Sequence, residues 1–183
     1  EVRTIMQKSA GLTLLEMVTA VSVIGALSML AVPSFNTMVL DARRTAAVND
    51  FLQALFLARS EAITRGEVVS VCKSLDQAQC ANRAPEWTTG WIVFVNRDRE
   101  EPPHRDAGET LLAAYHARQS GRITSNRPAF SFRPYYHAVI NGTVTFCDQR
   151  GPAHARAIII SRSGRPRLSR RGPDRTTLRC PSG

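Results

Sequence analysis

Arg165 and Arg167 stand two apart in the stretch Ser163-Gly-Arg-Pro-Arg167. In an extended chain alternate side chains share a face, which puts the two guanidinium groups about 6–7 Å apart. Each is a planar fork of donors that takes a phosphate or carboxylate in bidentate fashion. Pro166 has no amide hydrogen and a fixed φ, which suits a sheet edge or a loop. Gly164 permits a tight turn just before the pair. Arg162, Arg170 and Arg171 flank it and widen the basic stretch. From Arg150 to Gly183 nine arginines stand against one acid, Asp174, a formal +8 in a chain whose total is +9. Such asymmetry points to a polyanionic partner, nucleic acid or an anionic surface. The plainer reading is a solvated basic tail.

Other residue types offer less. His104, His116, His137 and His154 are scattered, with no HExxH and no i,i+4 pair. No G-x-S-x-G elbow or phosphate-cradling loop is present. Asp98, Glu100, Glu101, Asp106 and Glu109 lack the spacing of a calcium loop and read as a solvated segment. Neither an enzyme nor a cofactor is expected. Trp87 and Trp91 flank Thr88-Thr-Gly90 and read as core residues at a strand entrance, with base stacking as the rival role. The four cysteines, Cys72, Cys80, Cys147 and Cys180, form no CxxC, so a zinc ribbon is disfavoured. Two disulfides are expected, and of three connectivities proximity favours Cys72–Cys80, which leaves Cys147–Cys180. That second bridge would hold the arginine-rich segment on the domain.

The elements that must position these residues form two blocks. From about 12 to 65 the chain reads as one long helix, broken near Pro33, which lacks a donor and crowds the preceding turn. Met17 to Leu40 carries no charge, 24 positions that suffice to span about 30 Å of hydrocarbon. Residues 41–66 continue as an amphipathic helix with Val48, Phe51, Leu52, Leu55, Ala58 and Ala62 on one stripe. Glu61 and Arg65 make an i,i+4 pair and Gly66 is a stop. From 67 to 183 the pattern turns to short β-prone runs at 67–73, 90–96, 143–147 and 156–161, with weaker ones at 110–116, 122–125 and 129–133. Asn141-Gly142 signals a turn. The fold class expected is α+β, a long N-terminal helix kinked near Pro33 on an antiparallel β domain.

Glu16 sits inside the apolar segment, where a carboxylate costs about 2.5–3.5 kcal/mol on insertion. Cleavage after Gly11 would create a new amine at Leu12, one helical turn away, and a paired buried charge is tolerated. The stretch Lys8-Ser-Ala-Gly11 followed by Leu12-Thr-Leu-Leu-Glu16 resembles the leader of type IV prepilins, which a prepilin peptidase cuts after the glycine and methylates on the next residue. Leu12 departs from the commoner phenylalanine there. Pro33 falls where such helices loosen.

Ala58-Arg-Ser-Glu-Ala-Ile63, a cysteine-bearing first strand, Trp87-Thr-Thr-Gly-Trp-Ile-Val-Phe94 and a late Ile-Ile-Ser-x-x-Gly-Arg run together resemble the GspH/FimT family. Its members are minor pilins of type IV pili and pseudopilins of type II secretion. The GRPR stretch is similar to the DNA-binding signature of the FimT subgroup. That resemblance implies a leader at 1–11, an inner-membrane and filament-core helix at 12–40, and assembly with other pilin subunits through Glu16. It implies a globular domain in the periplasm or outside the cell. By the same resemblance Arg165 and Arg167 contact DNA, with Arg162, Arg170 and Arg171 widening the patch. The alternative is a structural pseudopilin or pilus-priming subunit that binds no DNA.

Overall fold

The structure, a computed structural model, describes residues 11–83, 86–116, 121–135 and 141–181, and of 29–34 the backbone alone. It divides into two compact units, 1–39 and 40–183. The residues before Gly11, and with them most of the expected leader, lie outside the described part.

One helix, α1 (Leu14–Arg65), begins in the first unit. Gly11, Leu12 and Thr13 precede it, so the helix starts two residues later than expected. Thr13 is the reason. Its Oγ1 accepts the Glu16 amide at 3.3 Å, which satisfies one of the free donors of the first turn. Thr13-x-x-Glu16 has the residue pattern of a capping box, and a carboxylate in that turn complements the helix dipole. Thr19, Ser22 and Ser28 donate their hydroxyls to the carbonyls of Glu16, Val18 and Ile24. These three hydroxyls thus close on their own helix.

Every described side chain from Gly11 to Ser28 is exposed, among them Leu14, Leu15, Val21, Ile24 and Leu27. Among the described residues no helix is long and apolar enough to cross a membrane. The uncharged run includes 29–34, whose side chains fall outside that description. Helical assignment continues through Pro33, so the expected break does not end the element. A proline deletes one rung of the ladder, and the rungs on either side remain.

The second unit packs the rest of α1 against two four-stranded sheets. The strands are β1 (Val69–Lys73), β2 (Gly90–Val95), β3 (Leu111–His116), β4 (Arg122–Ser125), β5 (Ala129–Phe132), β6 (Gly142–Cys147), β7 (Arg156–Ile160) and β8 (Pro166–Ser169). The orders are β3-β2-β1-β5 and β4-β6-β7-β8, and each neighbouring pair is antiparallel. The sequence pointed to all but β8, which read as edge or loop.

Ala47, Val48, Phe51, Ala54, Leu55, Ala58 and Ala62 bury one stripe of α1, as the 3.6-residue spacing requires. Phe51 is the meeting point. Its ring makes edge-on contacts with Trp91 of β2 at 5.0 Å, Phe130 of β5 at 6.3 Å and Phe146 of β6 at 6.0 Å. Trp87 adds a fourth contact at 5.3 Å. One side chain therefore joins both sheets. Trp87 and Trp91 are 1% and 0% exposed, which fits their reading as core residues and leaves no face for a base. Gly66 ends the helix with φ 69°, a conformation that favours glycine, and its amide donates to the Ala62 carbonyl.

Candidate nucleic-acid interface

β7 and β8 form a hairpin at the edge of the second sheet. Ile158 and Ile160 of β7 face the core, whereas Ala157 and Ile159 face the opposite side. Ile159 pairs with Arg167, and Ala157 with Ser169. Arg167 therefore lies on the outer face, and Arg165, two residues back, shares it. The turn between the strands is tightly specified. Gly164 has φ 72° and donates to the Ser161 carbonyl at 2.9 Å. The Ser161 amide donates to the Arg165 carbonyl, and the Arg165 amide to Ser161 Oγ. Ser161 and Arg165 thus form a hydrogen-bonded pair, so the amide edges of Arg165 and Arg167 point inward to β7. Pro166 faces outward, where its missing donor blunts the free edge.

Arg162, Arg165, Arg167, Arg170 and Arg171 are all exposed. Among the described residues none of their guanidinium groups has an ion-pair or hydrogen-bond partner; only the backbones of Arg165 and Arg171 are engaged by serines. Beyond β8 the chain turns at Gly172, whose amide donates to the Thr176 carbonyl. It then folds back over the outer face of the sheet. Leu178 is buried there against Cys147, Ala155 and Ala157, and the Cys147–Cys180 disulfide fastens the segment to β6. The other bridge joins Cys72 to Cys80. A groove of about 700 Å³ separates the tail from Thr143 and Pro152, with Arg179 on its wall. Arg175 and Arg179 are exposed as well. They extend the basic surface beyond the residues singled out from the sequence, and the regional arginine count was the signal for them.

Not all of that count is free charge. Arg150 Nη2 lies 2.7 Å from both Asp41 and Asp148. Arg44 of α1 reaches the same two carboxylates at 2.6 and 3.1 Å and also donates to the His154 carbonyl. Hydrogen bonds from Arg150 hold both Asp148 and Asp41 below the usual carboxylate range, and push Arg150 itself upward. Arg156 is half-buried and donates to the His154 and Ala155 carbonyls. Its pKa is drawn down by desolvation and by the neighbouring Arg44 and Arg170. The basic segment therefore splits into a neutralised foot near α1 and a free outer face on β8 and the tail.

Among the described residues no group of three or more His, Cys, Asp or Glu could hold a metal ion. His137 and the residues at 8–10 fall outside the described part. Gly11, Leu12 and Glu16 are exposed at the head of α1.

The family model described as type II transport protein GspH matches residues 47–164, well over half of the chain. The chain belongs to the GspH family. Members of this family are pilin-like structural subunits of pili and pseudopili and are not enzymes. The type IV minor pilin FimU of Pseudomonas aeruginosa superposes with a TM-score of 0.51 at 17% identity, over 68% of this chain and 91% of that one. The minor pseudopilin EpsH from the type 2 secretion system of Vibrio cholerae gives 0.49 at 14% identity, over 69% and 96%. At 17% identity the likeness to FimU is one of fold: a helix packed on antiparallel sheets. No curated protein matches the chain. The family match stops at Gly164, so Arg165, Arg167, Arg170 and Arg171 all lie beyond it.

Proposed function

We propose that this GspH-family chain is a minor pilin of a type IV pilus that captures extracellular DNA through its C-terminal arginines, for uptake in natural transformation. One observation carries the reading: five exposed guanidinium groups without partners among the described residues, on a hairpin fixed by its turn and at the start of a tail fastened by a disulfide. With the backbone beneath them already fixed, only the side chains of these cations are left to order when a phosphate backbone arrives, and no counter-charge has to be displaced. Contacts to phosphate carry no base information, so capture is sequence-independent and salt-sensitive.

The remaining roles follow the resemblance at the N-terminus. Prepilin peptidase cleaves after Gly11 and Leu12 is methylated. Residues 12–40 anchor the subunit in the inner membrane and then in the filament core. Glu16 pairs with an N-terminal amine during assembly with other pilin subunits. E16A should then be processed normally yet fail to enter filaments, as read by immunoblotting of sheared pili; normal incorporation removes the pairing argument.

The test of DNA capture is a salt titration. Full-length protein in neutral detergent is mixed with a labelled duplex and followed by anisotropy. Affinity should fall steeply with salt, and R165A/R167A should remove most of it while lowering the salt slope by about 2. If the double variant binds as wild type does, the proposal is wrong. A second reading is a structural pseudopilin of type II secretion, or a priming subunit without a DNA role. The family's description favours it, because that description is of a transport protein. Wild-type protein that binds no duplex at low salt would decide for it.

A further inference from the structure

A second group of arginines lies on the first sheet, away from the hairpin in sequence and in strand order. Three segments converge at the end where β1 begins. Val69 pairs with Val95 of β2 and with Phe132 of β5. The Asn96 amide donates to the Val68 carbonyl, which fixes the exit of β2 beside the residues that follow α1. Arg99 comes from the first of these exits and Arg133 from the second. Both are exposed, and among the described residues neither guanidinium group has a partner.

Tyr135 stands between these features and is 82% exposed, more than any other large apolar or aromatic side chain among the described residues of the second unit. Its hydroxyl lies against the helix stop, since a Cβ added to Gly66 would sit 3.4 Å from it. With one end of the ring placed there and no ring neighbour among the described residues, its π-face is left open. Val68, Arg99, Arg133, Pro134 and Tyr135 line a cleft of about 190 Å³. That is smaller than the roughly 300–1,000 Å³ of a site enclosing a whole ligand. It suits one planar group laid on the tyrosine.

Among the described residues no acid lines the cleft. Glu67, close by, is offset by Arg97 at 3.4 Å, and Asp98 accepts the Glu100 amide. Glu100 and Glu101 are exposed on the same loop, so the local field is only modestly positive. Stacking rather than charge must then supply most of any contact. An open aromatic face with flanking arginines is the arrangement that takes an unpaired base and its phosphates.

We propose that this cleft binds one unpaired nucleotide of single-stranded DNA, its base on Tyr135 and its flanking phosphates on Arg99 and Arg133. The proposal rests on DNA being the chain's partner, and its test separates it from the role of the hairpin. Full-length protein in detergent is titrated with labelled oligothymidylate and, separately, with a blunt-ended hairpin duplex. Y135A should weaken oligothymidylate binding by roughly 5- to 160-fold, the range of one lost stack, and leave duplex binding unchanged. Y135F should bind as wild type does. R99Q/R133Q should weaken oligothymidylate binding without unfolding risk, since both residues are exposed. R165A/R167A should lower duplex binding and preserve the difference between Tyr135 and Y135A. Oligothymidylate binding by Y135A within two-fold of wild type overturns the proposal, as does an equal loss in Y135F, which would assign Tyr135 to its contact with Gly66. A Tyr135-dependent signal in a protein that binds no duplex would uphold the cleft and remove the hairpin's role. Duplex binding lost only in R165A/R167A, with Y135A silent, would do the reverse.

Discussion

Asp148 accepts hydrogen bonds from Arg44, from the Arg150 guanidinium and from the Arg150 amide. It is buried, and it joins the loop after β6 to the start of the globular half of α1. Its pKa is lowered by these partners, Arg150 foremost. A carboxyl that falls below its unfolded value, near 3.9, adds stability above that value. The added stability is lost as the pH drops through the folded pKa. D148N should therefore lower Tm at neutral pH by the equivalent of about 1–3 kcal/mol. The deficit should begin to shrink below about pH 4, where the unfolded carboxyl takes up its proton, and vanish only once the pH has passed below the lowered folded value. Thermal scans across the acid range check this; a deficit independent of pH would mean that shape, not charge, holds the loop. The same pairing withdraws Arg150 from the basic surface, through a partner 109 residues away in Asp41. Charge counting along the chain has no access to such a contact, whereas the facing of Arg165 and Arg167 followed from the two-residue period of a strand alone.

At the scale of elements, α1 is held by a ring that both sheets share. Phe51 is fully buried, and its contacts include β2, β5 and β6. F51A should cost about 3–5 kcal/mol, the range for an aromatic removed from a core, measured by denaturant unfolding with slope unchanged. A loss below about 1 kcal/mol would mean that the surrounding rings close the gap. The helical stripe was legible in the main: Val48, Phe51, Leu55, Ala58 and Ala62 keep one period and are buried, Leu52 at its margin is only partly buried, and the small Ala47 and Ala54 complete it. Most strands were legible as well, since runs such as Gly90–Val95 and Arg156–Ile160 are rich in β-branched residues. β8 was not. Its four residues include a proline and an arginine, and their extended state comes from pairing with β7. The division into two sheets was hidden for a similar reason. β1 recruits β5 across nearly sixty residues of chain, and no local pattern encodes that choice.

For the molecule as a whole, the covalent cross-links decide how much of the C-terminus behaves as part of the domain. Cys147–Cys180 closes a segment with a sequence separation of 33. C147S/C180S should lower stability by about 3–4 kcal/mol on the loop-entropy account. If the tail arginines act on DNA from fixed positions, it should also weaken duplex binding. Thermal unfolding and the same anisotropy titration read the two effects, and unchanged affinity in a destabilised variant would restrict the interface to the hairpin.

The bridge also sets how the hairpin responds to a pull. β8 is an edge strand, and a load applied to Arg165 or Arg167 tends to peel it from β7 rung by rung. Only ten residues, 170–179, separate Ser169 from Cys180. Fully drawn out they span at most about 36 Å, after which the chain is taut. On the other side the short turn at 161–164 ties Arg165 directly to β7, so a pull enters the sheet there first. The path through sulfur into β6, an interior strand hydrogen-bonded on both sides, shares the load once the tail is taut. The arginine face is thus a tether of limited travel: it yields over a short distance and then transmits force to the centre of the sheet.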